Sequence, residues 1–470
     1  MNNRIERDLC GEREIPGNVY WGIHTLRARE NFPLGGGRMR FELVQALAMV
    51  KKACCRANTD LGYLDKAVAI AIETACDQII SGKLADQFDL DCLQGGAGTS
   101  TNMNLNEVIA NLALELRGCA KGDYCAIHPL NHVNLHQSTN DVYPTGLKIA
   151  CILAVRVLSA AAAQLQGALQ KKEKEFSAIL TIGRTEMQGA VPMTLGSQFG
   201  SFADAMGRDR WRTFKCEERL RVVNIGGTAV GTGLAAPRSY IFLVIEKLRD
   251  CTGLGLARAE NAIDQTANAD AFAEVAGMIA AHAATLRKIA SDLQLLHFAK
   301  DIVLPPVQAG SSIMPGKVNP VICEAAISAS VKARHDTALA MELAGMGTLQ
   351  INEFLPLLGQ ALLNAMYECA AADSMLARHV DGIVAQAEMC ARHVNESTSI
   401  VTAFVPAIGY EAAQDLVREF SAHGGGSFRD FLEKTLGKAL VDETLSPQKL
   451  MSLGFGTSEF AQDPRPSELP

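Results

Sequence analysis

The stretch Gly310-Ser311-Ser312-Ile313-Met314-Pro315-Gly316-Lys317-Val318-Asn319-Pro320 decides how the rest of the chain is read. Glycine stands on either side of a Ser-Ser pair, and a lysine and an asparagine follow. Glycines let a backbone approach a ligand closely or move as a lid. Lys317 offers a point charge for a carboxylate, and a serine kept from water beside such a cation could be held with a depressed pKa. A phosphate-cradling loop fits poorly. The spacer from Gly310 to Gly316 is one residue too long for a P-loop, and Val318 stands where Ser or Thr should meet magnesium. The bland alternative is a loop that only caps a helix beginning near Val321.

Long apolar runs lie to both sides of this loop. Residues 147–176 are mostly Ala, Leu, Ile and Val with charges gathered at the far end, and 268–299, 321–343 and 357–390 are similar. Each is long for a globular helix, and several are apolar on more than one face. Such helices must be covered by other helices, within one bundle or across merged bundles of an oligomer. The fold expected is therefore mainly α. Residues 1–140 are mixed in texture, with Gly95-Gly96-Ala97-Gly98 and His128-Pro129-Leu130-Asn131 as chain punctuation. From about Asn395 the chain regains Gly, Ser and charge. The division expected is an N-terminal domain over 1–140, a central helical domain over 141–394 and a small C-terminal domain over 395–470. The Pro-rich tail from Gln462 is expected to fray.

Composition narrows the function classes. The 470 residues exceed one ordinary core, so two or three folding units are expected. A formal net charge of −7 without basic runs argues against nucleic acid or anionic lipid as partner. An anionic substrate would need a few placed cations. Thirteen cysteines without Cys-x-x-Cys spacing read as reduced thiols in a cytoplasmic protein. The polar start, Met1 to Asp8, does not read as a signal peptide. The apolar stretch 149–163 contains Arg156 and reads as too short for a membrane span.

Taken together, these segments resemble the aspartase/fumarase superfamily. The 310–320 loop resembles its signature, and Gln94 to Glu107 (Gln-Gly-Gly-Ala-Gly-Thr-Ser-Thr-Asn-Met-Asn-Leu-Asn-Glu) its first characteristic region, in the aspartase form. Asn131-His132-Val133-Asn134, Gln137-Ser138-Thr139-Asn140-Asp141, Gly183-Arg184-Thr185 and Gly227-Thr228-Ala229-Val230-Gly231-Thr232-Gly233 extend the likeness over nearly the whole chain. The opening, Arg4 to Asp8 through Tyr20-Trp21-Gly22-Ile23-His24-Thr25, is more similar to aspartases than to fumarases. The resemblance implies a three-domain subunit whose central bundle joins a twenty-helix tetramer core, with each site built from three subunits. It implies no cofactor and a small dicarboxylate substrate.

Eliminating an amine from a succinate-type substrate requires removing a proton beside an already anionic carboxylate. The carbanion is accessible only as a doubly negative enediolate held by hydrogen-bond donors. The resemblance puts Thr99, Ser138, Thr139 and Ser312 around that carboxylate. Thr185, Lys317 and Asn319 fall to the other carboxylate, with Asn140 and Glu186 near the leaving nitrogen. Ser311 is the implied base, and Ser311 and Lys317 are the implied catalytic pair. Addition of water to fumarate, and a silent structural homologue, are the competing readings.

Three departures from the family pattern stand out. Thr181 replaces the usual lysine, whose loss would weaken substrate binding if that lysine holds the anion. Glu186 and Gly189 replace the usual His or Gln and Asp, so a negative charge lies where the leaving amine is expected and would attract an ammonium. Residues 297–303 replace a longer arginine-bearing loop, with Lys300 as a partial substitute cation. His128, His132 and His136 have the i, i+4, i+8 spacing of metal ligands, but Pro129 and Asn131 argue for a loop, and no metal is expected. Gly95 to Gly98 lacks the dinucleotide spacing.

Overall fold

The computed structural model describes residues 3–422, 424–452 and 454, and among them the chain is mainly α-helical, as expected. Strand is confined to four two-stranded ribbons among the described residues. The apolar runs become the helices Thr139–Glu175, Asp270–Phe298, Val321–Ala344 and Leu355–Asp381. Ala and Leu dominate them, and both lose little freedom in a helix. A further long helix, Leu195–Leu220, was not singled out from the sequence.

Two expectations are corrected here. The run 357–390 is not one helix: it stops at Asp381, Val384–Ala385 pairs antiparallel with Ile302–Val303, and Ala387–Glu396 starts anew. At the break a Cβ on Gly382 would lie 2.7 Å from Pro305, so the chain passes where only glycine fits. Nor does the apolar stretch around Arg156 fall short. The Thr139–Glu175 helix is long and apolar enough to cross a membrane, but 67% of its most apolar window is buried inside the protein. Arg156 turns aside to Glu217 at 2.9 Å, which leaves the apolar face to the core.

The chain forms two compact units, one from 1–160, 210–284 and 329–370, the other from 161–209, 285–328 and 371–470. In the first, Phe41–Asp60 packs against Lys66–Ile80 and Arg238–Thr252, and Lys66–Ile80 against Thr99–Leu116. Leu43, Leu47, Ile72, Ile109 and Leu248 fill the space between these elements without solvent exposure. In the second unit, the hairpin Leu180–Thr185/Gln188–Thr194 and the small helices after Ala387 close over Ile182, Val394, Phe404, Phe420 and Phe428. The tail from Gln462 lies outside the described residues.

Candidate active site

In the first unit, two helix starts present the predicted hydroxyls. Gly96, Ala97 and Gly98 all have left-handed φ, and this turn delivers Thr99 as the first residue of Thr99–Leu116. A Cβ on Gly98 would sit 2.3 Å from the buried Tyr143 ring, so the turn requires glycine there. Ser138 precedes the other helix. Its hydroxyl accepts from Asn140 N at 3.2 Å, while Asp141 accepts from Ser138 N at 3.0 Å, a reciprocal cap. Thr139 is tied to the first helix by Asn102, whose Nδ2 donates to its hydroxyl at 3.0 Å. Asn140 donates to Ala229 O at 2.7 Å.

Behind these hydroxyls lies a buried network that the sequence reading assigned no role. Lys51 donates to Asn134 Oδ1 at 2.7 Å and to Gln137 Oε1 at 2.9 Å, and Asn102 and Asn106 donate to the same Asn134 oxygen. Burial pushes the Lys51 ammonium down to about 8. Asp141 accepts from Gly226 N and Thr228 N as well as Ser138 N, yet burial outweighs those bonds and lifts it to about 6. The available signal was periodicity, because Lys51 follows Leu43 and Leu47 at four-residue spacing on the buried side of Phe41–Asp60.

In the second unit, Thr185 and Glu186 are exposed at the hairpin turn, where Glu186 and Met187 have φ of +50° and +63°. Consecutive left-handed residues are the geometry of a two-residue hairpin loop. The 310–319 loop closes at its neck: Gly310 N donates to Lys317 O at 2.7 Å, and Asn319 Nδ2 to Gly310 O at 2.8 Å. A Cβ on Gly310 would meet Asn319 N and Lys317 O at 2.7 Å. Inside the loop, Ser311 Oγ accepts from Ile313 N at 3.2 Å and Met314 N at 2.9 Å. Ser312 and Lys317 are exposed, and the Lys317 ammonium makes no ion pair among the described residues. The predicted residues thus form three groups: the two helix starts, the hairpin turn and the loop.

Thr181 does not stand in the role expected of its position. It is buried, and its hydroxyl donates to the buried carboxylate of Asp301. Asp301 also holds the Arg184 guanidinium, whose residue directly precedes Thr185. Lys300 is exposed with φ of +62° and makes no ion pair among the described residues.

Residues 11–334 match a family model described as lyase. The chain belongs to the aspartase/fumarase superfamily of lyases. It is 41% identical to the aspartate ammonia-lyase of Escherichia coli (strain K12) over 98% of this chain and 99% of that one. Among solved structures, a Brucella melitensis fumarate lyase:delta crystallin, bound to cobalt, aligns with a TM-score of 0.92 at 41% identity. That alignment covers 96% of this chain and 100% of the other. The class II fumarase of Schistosoma mansoni aligns with a TM-score of 0.89 at 29% identity, covering 95% and 99%.

In this lyase, no three His, Cys, Asp or Glu side chains among the described residues are grouped to hold a metal ion. The three spaced histidines serve local structure. Pro129–Val133 forms one π-helical turn instead of the expected loop, because Pro129 needs no N–H partner and His128 Nδ1 accepts from Leu130 N and Asn131 N. His132 Nδ1 accepts from His128 N, and His136 meets Asn58 Oδ1 at 2.7 Å.

Proposed function

We propose that this lyase removes ammonia from L-aspartate, or an amine from a close analogue, by anti-elimination to give fumarate. The observation that carries the reading is the posture of Ser311. Two backbone N–H groups point at its Oγ within a loop closed at the neck. Donors aimed at an oxygen stabilise its anion, which is what a serine base needs.

Ser311 takes the proton from the carbon beside one carboxylate. Thr99, Ser138, Thr139 and Ser312 hold the enediolate that develops there, and the reaction gains because these bonds strengthen as charge builds. Lys317, Asn319 and Thr185 hold the other carboxylate. Asn140 and Glu186 lie at the leaving nitrogen. No cofactor takes part. The assembly is a homotetramer with a twenty-helix core, each subunit divided at about residues 140 and 394, and each site is shared by three subunits. The apolar side chains that Val321–Ala344 leaves exposed, among them Val331, Leu339 and Met341, support that assembly. The partner is a small dicarboxylate, not nucleic acid or membrane, and the compartment is the cytoplasm.

A second reading concerns the amine. Glu186 is exposed at the hairpin turn as a carboxylate without an ion pair among the described residues. Such a charge favours a cationic or substituted amine over a third carboxylate. Fumarate incubated with a panel of amines, ammonia included, tests both readings through loss of its ultraviolet absorbance. Loss with ammonia is the expected result. Loss only with another amine, abolished by Glu186→Gln, would assign the substituted amine. Loss without any amine would indicate hydration, and no loss at all would overturn the proposal.

A further inference from the structure

A glycine-rich loop in the first unit has two working sides. On one side it holds the segment that carries Ser138, Thr139 and Asn140. Gly226 N and Thr228 N donate to Asp141 at 3.1 and 2.9 Å, and Ala229 O receives the Asn140 amide at 2.7 Å. Asn224, at the start of the loop, donates to Asn140 O at 3.0 Å. On the other side the same loop forms one wall of a cavity of about 350 Å³, within the size range of small-ligand sites.

The charged lining of that cavity is two arginines and one carboxylate, Arg238, Arg258 and Glu260, with Thr232 and Asn261 as further polar walls. Both guanidiniums lie against one phenyl ring, their central carbons 6.0 and 5.2 Å from the Phe242 centroid. Neither is ion-paired among the described residues, and Arg258 donates only to Ala259 O at 2.9 Å. Each cation is drawn to the ring, and the two exposed guanidiniums so placed leave their donors available to an anion entering the cavity. A guanidinium presents its donors as a planar fork suited to paired oxygens.

We infer that this cavity is a second, small-anion site for a compact dianion with paired oxygens, and that its occupancy acts on Ser138–Asn140 through the shared loop. Inorganic phosphate and a short dicarboxylate share that chemistry. The binding half stands independently of the proposed reaction, whereas the coupling half rests on it. An anion drawing the loop toward the arginines shifts the groups that hold Asp141 and Asn140. Coupling of this kind appears as a change in substrate affinity.

The test uses the full chain bearing Lys317→Ala, so that the candidate substrate site lacks its cation. Phosphate and malonate are titrated separately by calorimetry. One saturable site is expected, weakened at least about tenfold by Arg238→Gln with Arg258→Gln, the order of a lost charged hydrogen bond. Glu260→Gln, which removes the opposing carboxylate, should tighten binding. The better-bound anion identifies the source. No saturable binding of either anion, or binding indifferent to both arginines, overturns the site. With Lys317 restored, phosphate should change KM for aspartate, and the double arginine variant should abolish that change. Binding without any change in KM overturns the coupling half alone. A chain that binds phosphate but forms no fumarate counts against the proposed reaction and not against the site.

Discussion

Thr181 donates its hydroxyl to Asp301 at 3.2 Å, and the fully buried Asp301 carboxylate also takes Arg184 and lies 2.9 Å from His393 Nδ1. Position 181 thus belongs to the internal support of the hairpin that carries Thr185 and Glu186. Arg184, part of the family-like Gly183-Arg184-Thr185 segment, supplies the cation for Asp301, and the Thr181 hydroxyl adds one further donor.

Removal of the Thr181 hydroxyl therefore acts on stability. Thr181→Val should cost about 1 kcal/mol, and Asp301→Ala about 1.5–3 kcal/mol because charged hydrogen bonds are lost. Urea midpoints measure both. KM for aspartate should be unchanged in Thr181→Val, and a tenfold rise would return this residue to the substrate.

Gly98 should tolerate no side chain. With φ of +90° and Tyr143 at 2.3 Å from a built Cβ, Gly98→Ala combines backbone strain with overpacking, at least about 2 kcal/mol. Thr99 begins the helix next door, so kcat/KM should fall along with the melting temperature. A variant with wild-type stability would show that the Tyr143 ring can yield.

Ser311→Ala removes the proposed base and leaves the neck bonds of the loop, which use Gly310, Lys317 and Asn319. The expected loss is about 10²–10⁴ in kcat with little change in KM. Fumarate absorbance gives both constants. An equal loss from KM alone would recast Ser311 as a binding residue.

Lys51 makes stability depend on pH in a defined window. Its folded pKa is depressed to about 8 from the ordinary 10.5. The stability it contributes is present above the unfolded value and is lost as pH falls through about 8. Between pH 10.5 and 8 the wild type should therefore lose an increment of stability that Lys51→Met does not lose. Melting temperatures of both proteins across that window decide it, and parallel curves would remove Lys51 as the cause.

The helices and the loop were legible because their signals are local. An Ala- and Leu-rich run without breakers can do little but form a helix, and the spacing of glycines around Ser311 and Lys317 is a property of eleven consecutive residues. The break after Asp381 was not legible. It comes from Ile302–Val303 pairing with Val384–Ala385, and no residue near 382 carries word of a strand eighty positions away. The turn at Pro129–Val133 was misread for a related reason, because proline looks like a helix breaker until His128 caps the turn.

From the sequence alone came the helical class and the family likeness, both carried by residue type and short-range spacing, and the likeness in turn proposes the hydroxyls, lysine and asparagine of the site. Only the tertiary structure decided what stands behind them: Lys51 under Asn134, Asp141 under the 226–228 amides, and Asp301 under Thr181 and Arg184. Burial is a property of the folded chain. The same lysine or aspartate is an ordinary charge in the sequence and becomes a buried, hydrogen-bonded support once water is excluded from around it.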